Sequence, residues 1–253
     1  MYSHIEVSII IPLYFNQKNT QTLEDLITSY SKYSQETLSK VEFIFIDDCS
    51  PIQVEIQQNV LLNFHLLRIT DDIQWNQSGA KNLGATYSKG QKIIFSDTDH
   101  LFPEKILKKI ITSKVPKHLY HFKTQSPDGN HHHRRTPGIL YCSKSTFFLG
   151  QGYDEEFSGY YGCEDVFYRE NLKKKSIKFK YFSRLERVIS LAVNREDSYH
   201  SLERNFDRNL ALLNSKLQQL KSKKPEAAHS KIFLNFEWTS ITKNYLNYSS
   251  TIS

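Results

Sequence analysis

Lys92-Ile93-Ile94-Phe95-Ser96-Asp97-Thr98-Asp99-His100 is the stretch on which the fold turns. A short apolar run bounded by turn residues reads as a buried strand. Here it breaks off into two carboxylates separated by one residue. In extended or turning backbone, residues two apart can point the same way, so Asp97 and Asp99 would converge beyond the strand's end. Carboxylates that close repel each other unless a cation lies between them. Oxygen ligands suit Mg2+ or Mn2+, and such ions commonly also take substrate phosphate oxygens. Taken alone, the motif reads as a strand followed by an acidic turn, and only its surroundings argue for more.

Upstream, strand and helix alternate. Residues 7–12 are β-branched and stop at Pro12, where the ladder donor disappears. Thr22 with Asp25 can cap a helix whose apolar face is Leu23, Leu26, Ile27 and Tyr30. Residues 41–46 form a second buried strand that runs into Asp47-Asp48-Cys49-Ser50-Pro51, and residues 64–69 a weaker third. Residues 74–84 open a helix that closes at Gly90. Pro103 starts another, with Ile106, Leu107, Ile110 and Ile111 inward. Such alternation through about residue 113 predicts right-handed βαβ units and a mostly parallel sheet. In these sheets ligands sit outside the carboxyl ends of the strands. Asp47-Asp48 and Asp97-x-Asp99 would share that edge.

The second half changes character. Strands are predicted at 119–124, 138–142, 177–182 and 188–193, and a helix capped by Ser143. Residues 125–137, with His131, His132, His133, Arg134 and Arg135, read as an exposed loop, because consecutive histidines point in different directions. A helix starts at Glu164. Acids in a first turn complement the helix dipole, but the preceding Gly159-Tyr160-Tyr161-Gly162-Cys163 would let a ligand approach closely. Residues 199–221 form a long helix with Leu202, Phe206, Leu210, Leu213, Leu217 and Leu220 on one stripe. Lys221-Ser222-Lys223-Lys224-Pro225 is a charged break that sets off residues 222–253 as an appendage. That tail either packs on the domain or makes peripheral contact with a membrane surface.

Lys plus Arg outnumber Asp plus Glu, 33 to 27, a formal charge of +6 that suits anionic small molecules or an anionic membrane. No arginine-rich tract appears, so nucleic acid is not expected as a partner. Three cysteines without metal spacing or disulfide framework fit a reducing compartment. No signal peptide is evident, nor a run near the ~20 apolar residues of a membrane span. The expectation is a cytoplasmic chain, with peripheral attachment at the inner membrane face as its variant.

Together the segments resemble the family 2 glycosyltransferases of GT-A fold. Ile11-Pro12-Leu13-Tyr14 resembles the family's opening strand end, and Asp47-Asp48-Cys49-Ser50 its "DDxS" turn. Residues 76–84 are similar to its "xGxxxARNxG" helix start, with Lys81 where arginine is common. Asp97-Thr98-Asp99 resembles the metal-binding DxD. Gly152-Tyr153-Asp154-Glu155-Glu156-Phe157 and Gly162-Cys163-Glu164-Asp165 resemble the later "GxDExF…GxED" block. The likeness spans about residues 5 to 216, in family order, and the ordered set carries the specificity.

The resemblance implies a GT-A domain over residues 1–221. About 1–113 would bind the nucleotide sugar, about 114–198 the acceptor, and about 199–221 form the long helix. It implies transfer, with inversion, from a nucleotide-diphosphate sugar to a saccharide or lipid-linked saccharide acceptor. Pro12, Tyr14, Asp47, Asp48, Lys81 and Asp97 would bind the nucleotide sugar. Asp97 and Asp99, with His200, would hold Mn2+ or Mg2+. Asp165 would be the general base and Glu164 would place the acceptor. His200 is otherwise a polar residue at a helix start, and His100 is a further metal candidate. A nucleotidyltransferase would need a glycine-rich phosphate loop after the first strand, where this chain has Pro12-Leu13-Tyr14-Phe15-Asn16-Gln17. A non-catalytic binding module of the same fold is the other alternative.

Overall fold

A computed structural model describes residues 4–16, 19–132, 138–183, 185–191 and 202–246. The chain opens with β1 (Val7–Leu13), α1 (Gln21–Ser31), α2 (Gln35–Leu38), β2 (Val41–Asp48), β3 (Asn63–Ile69) and α3 (Gln77–Tyr87). Next come β4 (Lys92–Phe95), β5 (His100–Leu101), α4 (Glu104–Thr112), β6 (Leu119–His121), β7 (Lys123–Gln125), β8 (His131–His132) and β9 (Leu140–Ser143). It closes with α5 (Lys144–Leu149), α6 (Glu164–Lys174), β10 (Phe179–Tyr181), β11 (Arg187–Ser190), α7 (Asp207–Lys221) and β12 (Trp238–Asn244).

The main sheet has eight strands in the order β10-β6-β9-β4-β1-β2-β3-β12. β4, β1, β2 and β3 run parallel, as the alternation predicts. β9 and β12 run antiparallel to their neighbours. β1 is central because every residue of it is apolar or small and buried, so both faces can be covered. Val7, Ile9 and Ile11 enter one core with Leu23, Leu26 and Phe43. Ile10 enters the other with Ile46, Ala80 and Leu83. Each fully buried Ile or Phe contributes roughly 1.5–3 kcal/mol. Helix α3 lies close on β1 because residue 84 is glycine: a Cβ there would stand 2.4 Å from Ile10 Cγ2.

The carboxyl edge is set by register. Leu13 pairs with Asp47, Asp48 with Ile69, and Ile10 with Phe95, so the loops after β1, β2 and β4 leave the sheet side by side. A smaller sheet, β5-β11-β7-β8, closes over that edge. It grips the acidic turn directly, since Leu191 N donates to Asp99 O at 2.7 Å.

Several expectations change. Of the two readings of the tail, packing on the domain holds, but the tail is no separate appendage: β12 pairs antiparallel with β3 as an edge strand of the main sheet. The charged break is only a turn, after which Ala228 is buried against Leu213 and Leu220, and Lys216 Nζ donates to Ala228 O at 3.0 Å. The strand predicted at 119–124 divides at the buried Phe122, and its halves join different sheets. His131–His132 pairs with Thr124 and Gln125 instead of lying in a loop. The first helix begins at Gln21, ahead of Thr22, and Thr20 Oγ1 donates to Glu24 at 3.0 Å. Of the long helix, Asp207–Lys221 is helical, and Phe206 and Leu210 are half exposed while Leu213 and Leu220 are buried.

Candidate active site

The turn after β2 separates two adjacent carboxylates by function. Cys49 takes a left-handed conformation (φ +57°), which reverses the chain at once. Asp47 accepts from Ser50 N at 3.0 Å and forms an ion pair with Arg68. Ser50 Oγ accepts from Phe15 N at 2.9 Å, tying this turn to the exit of β1. Asp47 is thus committed to the protein. Asp48 is 2% exposed, and neither of its oxygens has a well-formed hydrogen bond. Burial pushes its pKa well up, against the pull of the Asn76 amide, and Asp47 and Asp72 add to the rise. Tyr14 faces the same acids: its phenol is raised first by burial, then by Asp72 and Asp48. Pro12 lies past the last β1–β4 pair, so its missing N–H falls where that ladder has ended.

The turn after β4 is tight, with His100 N donating to Asp97 O at 3.2 Å. It brings Asp97, Asp99 and His100 together, with one ligand atom from each inside a 4.8 Å cluster. Asp99 Oδ1 faces His100 Nδ1 at 2.5 Å, and neither atom has a well-formed hydrogen bond. Burial raises the Asp97 pKa and Asp99 raises it further, while Lys81 opposes both. Two crowded carboxylates, an imidazole and orphaned ligand atoms fit a divalent ion of the Mn2+ or Mg2+ type. His100 enters the set through local geometry. His200 lies outside the described residues.

The distant acids meet these. α6 begins after Gly162 and Cys163, both at positive φ (+79° and +78°), so the loop swings back and starts the helix with Glu164 and Asp165. Asp165 Oδ1 lies 3.6 Å from Lys81 Nζ, and Lys81 is 1% exposed. Burial alone would lower the Lys81 pKa, but Asp165, Asp97 and Glu164 outweigh it and hold the ammonium charged. A Cβ built on Gly138 would stand 3.2 Å from Asp97 Oδ2, 3.7 Å from Lys81 Nζ and 3.8 Å from Asp165 Oδ2. Three charged side chains from α3, the β4 turn and α6 therefore converge on one point that lacks a side chain. Glu164 keeps some solvent contact, yet the protein around it and the Asp165 charge raise its pKa to about 7.

Sequence reasoning missed Gly138, Asn76 and Tyr153 here. Tyr153 is buried, with its ring 5.0 Å from Lys81 Nζ, and after burial the Asp165 charge raises its phenol well above the usual range. Only its place inside the GxDExF block could have signalled it. The acids of that block have structural tasks. Asp154 takes Lys216 at 2.8 Å, and Glu155 accepts from Asn82 Nδ2 at 2.7 Å and from Leu234 N at 2.8 Å. A separate cavity of about 760 Å³ opens at the opposite edge of the sheet, lined by His65, Tyr87, Lys89, Lys243 and Tyr245.

The model of glycosyl transferase family 2 matches residues 8–148, more than half of the chain. The chain belongs to glycosyl transferase family 2. The match takes in Asp48, Lys81, Asp97 and Asp99 and ends before Glu164 and Asp165. An uncharacterized glycosyltransferase of Haemophilus influenzae is 30% identical over 119 residues, which is 46% of this chain and 38% of that protein. The chain thus aligns with well under half the length of that relative.

The fold of this family 2 member is that of the GT-A glycosyltransferases. Staphylococcus aureus TarS, solved with UDP-GlcNAc, superposes with TM-score 0.66 at 13% identity, over 88% of this chain and 69% of that one. The catalytic domain of Drosophila β1,4-galactosyltransferase 7, solved with xylobiose, gives 0.54 at 12% identity, over 81% and 78%. The mannosyltransferase PcManGT of Pyrobaculum calidifontis, solved with GDP-Man and Mn2+, gives 0.50 at 12%, over 84% and 61%. Among the described residues no helix is long and apolar enough to cross a membrane.

Proposed function

We propose that this chain is an inverting glycosyltransferase that moves a sugar from a nucleotide-diphosphate sugar to a hydroxyl of a saccharide or lipid-linked saccharide. The convergence of Lys81, Asp97 and Asp165 around Gly138 carries the reading. The nucleotide-sugar and metal complexes of TarS and PcManGT support it by fold.

Asp48 would accept hydrogen bonds from the nucleoside, since its buried oxygens otherwise lack a well-formed partner. Pro12 and Tyr14 would flank the base. Asp47 would act from behind, by holding the turn. Asp97 and Asp99, with His100 supplying a nitrogen, would hold Mn2+ or Mg2+, a Lewis acid toward the leaving diphosphate. Lys81 would add a fixed positive charge beside the diphosphate and, 3.6 Å from Asp165 Oδ1, help to hold that side chain in place.

The reacting sugar passes through an oxocarbenium-like state, as in glycoside hydrolysis. Its bond to the diphosphate oxygen breaks, and that electron pair leaves with the diphosphate. The acceptor oxygen forms the new bond from the opposite face while Asp165 takes its proton. Attack from that face inverts the anomeric configuration. General-base help of this kind is typically ~10²–10⁴-fold. Glu164, about half protonated at pH 7, would hydrogen-bond an acceptor hydroxyl as donor or acceptor.

Asp165→Asn tests this. Transfer should fall by about that factor while nucleotide-sugar binding is kept. Transfer at the wild-type rate would remove Asp165 as the base. A cytoplasmic chain working at the inner membrane face belongs to the same reading. It is supported by the exposed Ile232, Phe233 and Ile241 beside Lys231 and Lys243 on the tail. Co-sedimentation with anionic vesicles, lost in Phe233→Ser, checks it.

A further inference from the structure

The loop that delivers Glu164 and Asp165 also presents an aromatic surface that the proposed chemistry has not used. Tyr160 is 48% exposed and Phe206 49%, although large aromatic side chains usually find cover. They belong to one cluster: Trp75 meets Tyr161 edge-on at 4.7 Å, and Tyr161 meets Phe206 at 4.8 Å. Phe206 also touches the turn itself, its Cε1 lying 2.9 Å from where a Gly162 Cβ would be. The surface is rigid, because Asn209 Nδ2 donates to the carbonyls of Phe157, Tyr160 and Gly162 at 2.8–3.0 Å. Two guanidinium groups lie close to it: Arg204 Cζ is 5.1 Å from the Tyr161 centroid and Arg208 Cζ 4.7 Å from that of Tyr160. Glu203 and Asp207 alternate with the arginines along the chain. Arg208 Nη1 also donates to Glu156 O at 2.8 Å and to Asn209 Oδ1 at 3.0 Å, and Trp75 Nε1 to Glu203 O at 3.0 Å.

A sugar ring has an apolar C–H face that packs on an exposed aromatic ring, and polar groups at its rim. A guanidinium carries a planar fork of N–H donors suited to carboxylate or phosphate, and Arg204 and Arg208 are both exposed beside these rings. We infer that Tyr160, Tyr161 and Phe206 form the acceptor platform, and that Arg204 and Arg208 select an acceptor saccharide bearing an anionic group, phosphate or carboxylate. This rests on the transferase reading of Glu164 and Asp165, two and three residues past Gly162.

The test is calorimetry on the full chain with methyl glucoside, its 6-phosphate and methyl glucuronide, in low and high salt. At least one charged saccharide should bind ~10-fold or more tighter than the neutral one, the worth of a hydrogen bond to a charged group. The two charged arms separate phosphate from carboxylate. The preference should shrink in high salt, and in Arg204→Gln provided its melting temperature matches the wild type. If that variant does not fold, the salt dependence of the wild type carries the test. Equal affinity for all three, or no binding of any, overturns the inference. Hydrolysis of nucleotide sugars by the wild type, measured separately with Mn2+, tells the failures apart. Hydrolysis without charge preference removes the acceptor inference alone. No hydrolysis and no nucleotide-sugar binding removes the transferase reading with it.

Discussion

Asp47 and Asp48 are neighbours in sequence with opposite circumstances, and their substitutions should part accordingly. Asp47→Ala removes the ion-pair partner of Arg68, which keeps Ser50 O, and the acceptor of Ser50 N, and should cost about 1–3 kcal/mol in chemical denaturation. Asp48→Asn removes a buried carboxylate that lacks good hydrogen bonds. It should leave the melting temperature unchanged or higher while weakening nucleotide binding ~10-fold or more. Glu164 gives a pH signature. Its carboxyl titrates near 4.5 when unfolded and near about 7 when folded, so the native state holds the proton more tightly. Stability should therefore fall as pH rises from about 4.5 to 7, with the penalty complete above that. Glu164→Gln should flatten this slope, a change on the order of 1 kcal/mol after discounting for its partial exposure. At this scale the acids were legible, because carboxylates at strand ends and helix starts are visible in any sequence. Which of them has protein partners was not, since Arg68 reaches Asp47 from a neighbouring strand. Gly138 was equally silent, because its meaning lies in what surrounds it.

Among the elements, strong periodicity was readable and edge structure was not. β1, β2 and β4 announce themselves as apolar runs, and α4 by its spaced isoleucines. β12 runs along the edge with most of its side chains exposed, so it carries no apolar alternation to find. Its attachment also rests on side chain to backbone bonds, which no pattern encodes. Glu155 is the clearest of these, accepting from Asn82, Leu234 N and Asn235 N at once. Glu155→Ala should cost about 2–4 kcal/mol, since hydrogen bonds to charged groups are worth roughly 1.5–3 kcal/mol each and do not add fully. Amide exchange should quicken at 234 and 235 before it does in β1. Unchanged protection there would mean that the tail is held by other contacts.

For the whole molecule, the alternation of strand and helix was enough to set the parallel sheet and the edge at which Asp48, Asp97 and Asp99 gather. The smaller sheet, the divided strand at Phe122 and the pairing of β12 with β3 depend on contacts between distant residues and were beyond reach. Ending the chain at 221 should bare the β3 edge and the apolar site of Phe236. The shortened chain should then unfold at lower temperature and aggregate, as unprotected edge strands do. In the proposed reaction, acids from separate loops serve one bound nucleotide diphosphate and its cation. Calorimetry with a panel of nucleoside diphosphates, with and without Mn2+, on the wild type and Asp99→Ala decides whether they do. One nucleoside diphosphate should bind ~10-fold or more tighter with Mn2+, and Asp99→Ala should lose that gain. Affinity indifferent to Mn2+ in the wild type, or an undiminished Mn2+ effect in Asp99→Ala, would contradict it.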